Sequence, residues 1–597
     1  MIMEVHKTVV KLMITSVMIS VMAMGMSACG SHQSEQSETQ ALSESEAQAA
    51  TESEVQATTE SDAQAAAEDE TSAVTETEVH VAANGSDETG SGTQEAPFAT
   101  VSHAAHAMPG SLILVHEGVY GPIELGPECS GSEGSPTVIR AAEGETAVFR
   151  AAEPETAAAG DAEEAATAVS ATEEAATNPT EEETATNSAT IGNTAYERAA
   201  DEEPSEDEEE DRVCVSLINV CHISLEGLET EGGTHGITYL STREAGEDPL
   251  TDISIRNCTV HGVRGIHGIN VYACNDLAPV TDLTIEGCEV YDCECGSSES
   301  LVLNGNIDGF LIAGNKIHDN NNIGIDMIGF EGWAKHPDDA AAGPDDAVAG
   351  PDDAAAGPDD SATVDSNKTT AAGSRNPYDA DQVRNGICRD NVVYNISTEG
   401  NPYYYEDGEY EPCADGIYVD GGRDIEIFNN FIFRCDIGLE VATEHSPDDN
   451  ELFKVSGVRV HDNVIADCNG WTGICFGGYD KDLGFTEDCE FDHNTLVDNA
   501  AQIGVQRSRN NRIHANLIIG GETGVEFNDY CREEDMVNDI SGNAAAEIED
   551  EESWDEEYGA YYSDRAKIVN GFRSLIEDTG SRFVPDDTMM ELYTDER

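Results

Sequence analysis

The segment Asp252–Val260, which reads DISIRNCTV, recurs at Asp282–Val290 as DLTIEGCEV, and this recurrence decides the fold. Two later copies stand at Asp424–Ile432 (DIEIFNNFI) and Gly457–Ile465 (GVRVHDNVI). Each copy alternates apolar and polar residues, reaches a small or polar residue at a turn, and then takes another apolar step. The pattern is typical of short strands separated by tight turns.

The turn position of this unit recurs along much of the chain. It is occupied by Leu228, Cys258, Cys288, Asn315, Asn391, Asn430, Asn463, Asn494 and Asn516. Most steps between members are a few tens of residues long, and a repeat of strands at that period, without helical periodicity, indicates a solenoid. Asparagine suits the column because it tolerates left-handed backbone and its amides can hydrogen-bond between stacked coils. We therefore predict an all-β fold, a parallel β-helix of roughly ten coils.

The N-terminus has the features of an export signal. Lys7 and Lys11 precede an apolar run that ends in the segment Met26–Cys29. Small residues followed by cysteine resemble the lipobox of bacterial lipoproteins, in which that cysteine is lipidated. We expect a signal peptide at residues 1–29 and an extracellular protein that is anchored to the cell membrane through a lipid on Cys29.

Charge and composition divide the rest of the chain. The formal net charge is -91, from 120 acidic and 29 basic residues, which argues against nucleic acid as a partner and favours divalent cations. Low-complexity acidic stretches predict a disordered tether at 30–78 and inserts near 151–211 and 336–375 within a β-helix domain at 79–540. The tail at 541–597 is expected to contain a capping helix over Ala566–Glu577. We expect a monomer.

The second strand of each coil points to a functional face. It opens with glycine and an apolar residue, and alternation directs the next residue outward. That outward column reads Asn270, Asp326, Tyr418, Glu440, Cys475, Gln506 and Glu526, and a parallel column two residues on contains Asp420. Neighbouring coils lie about 4.8 Å apart, so Asp326, Asp420 and Glu440 are predicted to share one exposed face. Carboxylates that close raise a pKa or recruit a cation.

A tyrosine-rich loop precedes one of these strands. The loop Asn401–Tyr405, with Tyr410, offers rings that can stack on sugar faces. We predict that Tyr404, Tyr405, Tyr418 and Arg423 bind a polysaccharide substrate.

Several segments resemble a known superfamily. The stretches Val81–Asp87, Asp319–Asp326, Asp415–Gly422 and Gly438–His445 look like parts of right-handed parallel β-helix proteins of the pectate lyase superfamily. The particular similarity is to family 9 polysaccharide lyases and their uncharacterised relatives. The resemblance implies a right-handed helix and calcium-assisted β-elimination on a uronate-containing glycan.

The resemblance also suggests roles for individual residues. It implies calcium ligands at Asp326 and Asp420, although Asn322 and Ile323 replace the paired aspartates of the family's calcium motif. Lys454 is the candidate base, with Glu440 and His445 as further catalytic candidates. Two alternatives stay open: a glycoside hydrolase that uses paired carboxylates, and a glycan-binding surface lipoprotein without catalysis. A lyase forms an unsaturated product that absorbs ultraviolet light, a hydrolase forms only new reducing ends, and a binder forms neither.

Overall fold

A computed structural model describes residues 77–152, 211–334, 380–406, 409–444, 453–479, 484–520, 523–528, 537–545 and 581–594. The predicted signal peptide with Cys29, almost all of the tether and of both inserts, the helix predicted at Ala566–Glu577 and His445 lie outside these described residues. In the part of the chain that the structure describes, no helix is long and apolar enough to cross a membrane.

The repeated segments form strands of the first of three parallel sheets. Asp252 and Asp282, which open two copies, adopt left-handed backbone with φ of 59° and 49°, which aspartate tolerates. Their strands pair in register, with Ile253 opposite Leu283. The first sheet contains β1 Glu78–Val81, β2 Leu112–Val115, β5 Thr137–Ala141, β8 Ile223–Glu226, β11 Leu250–Arg256, β14 Val280–Glu286, β17 Ile307–Ala313, β20 Val383–Arg389, β25 Arg423–Phe428, β29 Arg459–His461, β33 Glu490–Asp492, β37 Arg512–His514 and β40 Asp539–Ile540, with β28 Lys454–Ser456, β32 Phe485–Glu487 and β36 Ser508–Arg509 as a side ladder.

The second sheet holds the predicted functional columns. Its strands are β4 Ile123–Leu125, β7 Val213–Ile218, β10 His235–Ser241, β13 His267–Ala273, β16 Leu301–Gly305, β19 Ile325–Ile328, β24 Asp415–Asp420, β27 Ile437–Ala442, β31 Thr472–Phe476, β35 Ala501–Val505 and β39 Thr523–Phe527. Glycine opens several of these strands because the backbones approach closely there: a Cβ on Gly438 would lie 2.3 Å from the carbonyl oxygen of Gly473.

The third sheet completes the coils. Its strands are β3 Gly118–Tyr120, β6 Ala147–Phe149, β9 Glu229–Glu231, β12 Thr259–His261, β15 Glu289–Tyr291, β18 Lys316–Asn320, β21 Val392–Ile396, β26 Phe431–Cys435, β30 Val464–Ala466, β34 Thr495–Val497, β38 Leu517–Ile519 and β41 Ala544–Ala545. The three sheets have 16, 11 and 12 strands, each parallel to its neighbours, so the predicted right-handed parallel β-helix of roughly ten coils is confirmed.

The asparagine column at the turns is also confirmed. Asn315, Asn391, Asn430, Asn463, Asn494, Asn516 and Asn543 form a chain of side-chain amides, buried except at Asn543, which we call the asparagine ladder. Asn430, for example, donates to Asn463 Oδ1 at 2.9 Å and accepts from Asn391 Nδ2 at 2.9 Å. Each amide therefore ties its coil to the next. The cysteines among the described residues are free, and most of them are buried.

Two helices pack on the solenoid. Helix α1, Val101–Ala107, begins after Thr100, whose side chain accepts a hydrogen bond from His103 N, and it buries Ala104 and Ala105 against the first coil. Helix α2, Asp587–Thr594, lies in the C-terminal tail. It packs Met590 and Tyr593 against aromatic residues of β26 on the outer side of the third sheet. The antiparallel pair β22 Tyr405–Glu406 and β23 Glu409–Tyr410 forms a short hairpin.

Candidate functional site

The second sheet aligns the predicted outward column. Asp326 on β19 pairs with Tyr418 on β24, which pairs with Glu440 on β27, which pairs with Cys475 on β31. Because β19, β24 and β27 are consecutive strands, Asp326 and Glu440 stand on either side of Tyr418. The register of the column is therefore confirmed from Asp326 to Cys475, but the predicted exposure was wrong, because Asp326, Asp420 and Glu440 are buried.

The column continues differently in the next coil. Gly504, and not Gln506, pairs with Cys475, and Glu526 then pairs with Gly504. The prediction of Gln506 was wrong because Ile503, rather than Val505, lies opposite Ile474. Strand β16, whose Val302 occupies the column between Asn270 and Asp326, was not predicted from the sequence.

Further carboxyl groups converge on this face. Asp420, at the end of β24, accepts a hydrogen bond from Glu444 N at 3.1 Å. Charges on Glu299, Asp415 and Glu444 also act on Asp326 or Glu440. We call the six residues Glu299, Asp326, Asp415, Asp420, Glu440 and Glu444 the carboxyl cluster. Glu299 and Glu444 lie in connections between strands, where no sequence period identifies them.

Burial and mutual repulsion shift the acidity of this cluster. Asp326 and Glu440 are only 2% and 7% exposed. Burial, followed by the neighbouring Glu444 carboxylate, raises the pKa of Glu440 to about 8. Burial, followed by Glu299 and Asp420, raises the pKa of Asp326 well above its usual range. The same causes, with Glu440 as the first charged neighbour, raise the pKa of Asp415. Glu440 therefore keeps its proton at neutral pH.

Glu299 is oriented by a chain of buried polar groups. Its Oε2 lies 3.4 Å from Nδ1 of His267, which is fully buried. The other ring nitrogen of His267 lies 3.1 Å from the Tyr272 hydroxyl. Burial lowers the pKa of His267 well below its usual range, whereas burial and the Glu331 charge raise the pKa of Glu299. A protonated Glu299 beside a neutral imidazole satisfies both shifts.

Two buried carboxyl oxygens of the cluster could coordinate a cation. The Oδ1 atoms of Asp326 and Asp415 have no hydrogen-bond partner. Such oxygens fit a hard cation, since calcium prefers carboxylate ligands. The described groups of three or more His, Cys, Asp or Glu ligand atoms within 4.8 Å of one another lie elsewhere, at His106–Glu128–Cys129 and Glu490–Asp492–His514. A calcium site at Asp326 and Asp420 would thus need water or substrate oxygens to complete it.

Two predicted residues lie on the first sheet instead. Lys454 forms an ion pair with Glu487, which also binds Arg509. The amine of Lys454 is therefore engaged by a carboxylate of the first sheet, whereas a general base must reach the proton of the substrate. Arg423 donates to Gln382 Oε1 at 3.1 Å and to Asp424 Oδ2 at 3.1 Å.

The predicted tyrosines differ in exposure. Tyr418 is buried inside the cluster, and burial followed by the Asp420 charge raises the pKa of its hydroxyl. Tyr404 accepts a hydrogen bond from Asn322 Nδ2 at 3.1 Å, and the charges of Glu444 and Glu299 reach its hydroxyl. Tyr405 is exposed to solvent. The structure thus brings Tyr404 and Tyr418 to the cluster.

Comparison with solved structures finds matches at low sequence identity. A GH136 lacto-N-biosidase from Eubacterium ramulus is 13% identical, covers 78% of this chain and 67% of its own, and has a TM-score of 0.46. Pectate lyase Pel9A is 12% identical, with coverage of 79% and 83% and a TM-score of 0.36. The A-module of the mannuronan C-5 epimerase AlgE6 from Azotobacter vinelandii is 12% identical, with coverage of 74% and 93% and a TM-score of 0.37. The architecture assigned above rests on the strand pairing of this chain itself.

Sequence comparison gives a longer match. The family described as "Periplasmic copper-binding protein (NosD)" matches residues 372–569. The uncharacterized protein YwoF of Bacillus subtilis strain 168 is 30% identical over 525 residues, which cover 84% of this chain and 87% of YwoF. The chain therefore belongs to the same protein family as YwoF.

Proposed function

We propose that this protein hydrolyses glycosidic bonds of a polysaccharide, with the carboxyl cluster supplying the acid and the base. The observation that carries the proposal is the convergence of carboxyl groups from several coils on one face, where the pKa of Glu440 is raised to about 8. A carboxyl group that keeps its proton at neutral pH is the usual proton donor to a leaving sugar oxygen. The fold suits this role, because a β-helix presents a long face to an extended chain.

Glu440 and Asp420 are the residues to which we assign the chemistry. They lie diagonally on the neighbouring strands β24 and β27, with Cα atoms roughly 8 Å apart from the spacing and rise of strands. Side chains placed this way can present carboxyl groups about 5 to 9 Å apart, as in glycosidases. Glu440 would give its proton to the glycosidic oxygen. Asp420, held by Glu444 N, would accept a proton from the attacking water.

The test is hydrolysis over a panel of polysaccharides, neutral and uronate-containing, each with calcium and with a chelator. We expect new reducing ends without ultraviolet absorbance of an unsaturated product, and we expect them with either addition. A product that absorbs ultraviolet light would overturn hydrolysis. Binding without any cleavage would indicate a glycan-binding protein that has the fold alone.

A second candidate is calcium-assisted β-elimination on a uronate glycan. The unpartnered Oδ1 atoms of Asp326 and Asp415 favour it, because a hard cation would satisfy them. Asp326 and Asp420 would hold calcium, which would neutralise a uronate carboxylate and acidify the proton beside it. The ion pair of Lys454 with Glu487 counts against this route, since it removes the predicted base. Calcium-dependent ultraviolet absorbance that is lost in Asp326→Ala would favour elimination.

We also infer export and lipid anchoring. The basic and apolar N-terminus followed by Cys29 supports this, and so does the match to a family whose description is periplasmic. Expression in a bacterium with labelled palmitate should place the label on the wild-type chain in the membrane fraction. Cys29→Ser should abolish the label and release the protein. Label that persists in the variant would contradict lipidation at Cys29.

A further inference from the structure

Three exposed tyrosines lie beside the carboxyl cluster. Tyr403, Tyr405 and Tyr410 are 57%, 44% and 38% exposed, although large apolar side chains are rarely left in water together. Tyr405 and Tyr410 pair across the hairpin β22–β23, and their ring centroids lie 6.1 Å apart. We call these three residues the tyrosine platform.

The loop that carries the platform is fixed to neighbouring coils by Asn401. This side chain is fully buried. Its Nδ2 donates to Gly296 O at 2.6 Å and to Asn321 O at 2.9 Å, and its Oδ1 accepts from Tyr403 N at 3.1 Å. A buried, fully bonded asparagine holds the loop in one place. The start of the loop, with Tyr403, is thus fixed before any ligand arrives, which lowers the entropy cost of binding.

The platform adjoins the cluster on its Glu299 side. Tyr404 lies between Tyr403 and Tyr405 in the sequence. Its hydroxyl is near the cluster, where the charges of Glu444 and Glu299 act on it. Tyr403 packs near Gly296, three residues before Glu299: a Cβ on that glycine would lie 3.3 Å from the Tyr403 ring. A sugar chain that enters the cluster from this side would cross the platform.

We propose that the tyrosine platform is a sugar-binding subsite that selects an uncharged glycan by stacking on the apolar faces of its pyranose rings. The inference rests on the proposed hydrolysis only for the direction in which the glycan enters the carboxyl cluster. It narrows the substrate class to neutral polysaccharides. An aromatic ring offers a pyranose face a large, rigid apolar contact at little conformational cost.

Charge favours an uncharged ligand over a polyuronate. The strongest charges that act on Asp326 and Glu440 are those of other carboxylates, namely Glu299, Glu444 and Asp420. Each uronate brought to this face adds another negative charge to a crowded group, which costs energy at short range. Neutral sugars meet no such cost. This differs from the uronate substrate that the resemblance to lyases implies.

The experiment measures binding separately from cleavage. Full-length Glu440→Gln protein, which should bind without turnover, is titrated with galactan, xylan and β-glucan as neutral probes and with polygalacturonate and alginate as charged probes. Tyr403→Ala, Tyr405→Ala and Tyr410→Ala are added in that background. We expect one neutral polymer to bind best and each substitution to raise its Kd about three- to tenfold. Val119→Ala, at a residue 55% exposed on the third sheet, should leave Kd unchanged.

The outcomes separate the two proposals. If the platform variants leave Kd unchanged while the wild-type chain still hydrolyses glycans, the platform is wrong and the proposed function stands. If they weaken binding of a neutral glycan that the wild type does not cleave, the platform stands and hydrolysis fails. Tighter tyrosine-dependent binding of polygalacturonate or alginate would overturn the uncharged substrate class. In wild-type protein, the platform variants should raise KM for the polymer.

Discussion

The asparagine ladder and the carboxyl cluster both stack polar side chains from consecutive coils, yet one is satisfied and the other is not. In the ladder each amide donates to one neighbour and accepts from another, as Asn430 does with Asn463 and Asn391. An ionised carboxylate only accepts, so stacked carboxyl groups can pair only where one of them keeps a proton. In the cluster the Oδ1 atoms of Asp326 and Asp415 have no partner.

The difference separates a structural array from a candidate functional one. Buried polar groups are normally hydrogen-bonded, and each exception requires an explanation. The ladder needs none, since it holds successive coils in register. Keeping the carboxyl groups of the cluster together lowers the stability of the fold. Carboxyl groups with shifted pKa values of this kind are concentrated at functional sites. Replacing a carboxyl group of the cluster should therefore lower activity without lowering stability. Removing an amide of the ladder should lower stability.

The largest expected effect is on catalysis. Glu440→Gln keeps the shape of the side chain and removes the proton donor, so we expect activity to fall about a thousandfold. The Tm should stay the same or rise, because the amide relieves repulsion inside the cluster. Glu526→Gln is the matched control: Glu526 occupies the same column two strands beyond Cys475 but is exposed. Equal losses in the two variants would remove Glu440 from the acid role.

The ladder should respond in the opposite way. Asn430→Ala removes the buried hydrogen bonds that this side chain makes with Asn391, Asn463 and Cys388 O, and we expect a loss of roughly 3 kcal/mol in the free energy of unfolding. Urea denaturation measures it. Asn469→Ala, at an exposed asparagine bonded to Asp467 O, should change stability by less than about 0.5 kcal/mol. If Asn430→Ala left the free energy of unfolding unchanged, the coils would hold their register without the amide.

The contrast also marks what the sequence could predict. Period and alternation predicted the β-helix, the ladder from Asn315 to Asn516 and the alignment of Asp326, Tyr418 and Glu440, because each depends on regular strand geometry. Gln506 was placed wrongly because Gly504 lies near the end of strand β35, whereas Gly473 lies near the start of the neighbouring strand β31. Counting from the glycine therefore shifted the register by two residues.

Residues outside the strands could not be predicted by period. Glu299 and Glu444 reach the cluster from connections whose paths depend on tertiary packing. Lys454 shows the same limit for a strand residue: its partner Glu487 lies on β32 of the side ladder, a pairing that the main repeat does not reveal. The hairpin and its exposed rings were predicted as a sugar-binding loop, but only the structure identifies Asn401 as its anchor.

The pH dependence of stability gives a smaller effect. The pKa of Asp326 is raised in the folded chain, so the folded state binds more protons than the unfolded state at intermediate pH. Stability should then be greatest below the unfolded pKa of about 4 and should fall as pH rises toward the folded value. Asp326→Asn removes this titration, so it should be more stable than the wild type at pH 8 and differ little from it near pH 4. Denaturation curves at both pH values test it. The same difference at both would contradict a protonated Asp326.

The smallest effect should come from Lys454. Its amine is a third exposed in an ion pair with Glu487, which keeps Arg509 as a second partner. Lys454→Met should therefore cost no more than about 1 kcal/mol of stability, as should Lys316→Met, which breaks a similarly exposed pair with Glu289. Neither should change cleavage by more than about twofold if the cluster supplies both acid and base. A large loss of cleavage in Lys454→Met alone would return the lysine to the role of base, and with it β-elimination. This small effect therefore decides between the two chemistries, because hydrolysis by the cluster has no use for a lysine on the first sheet.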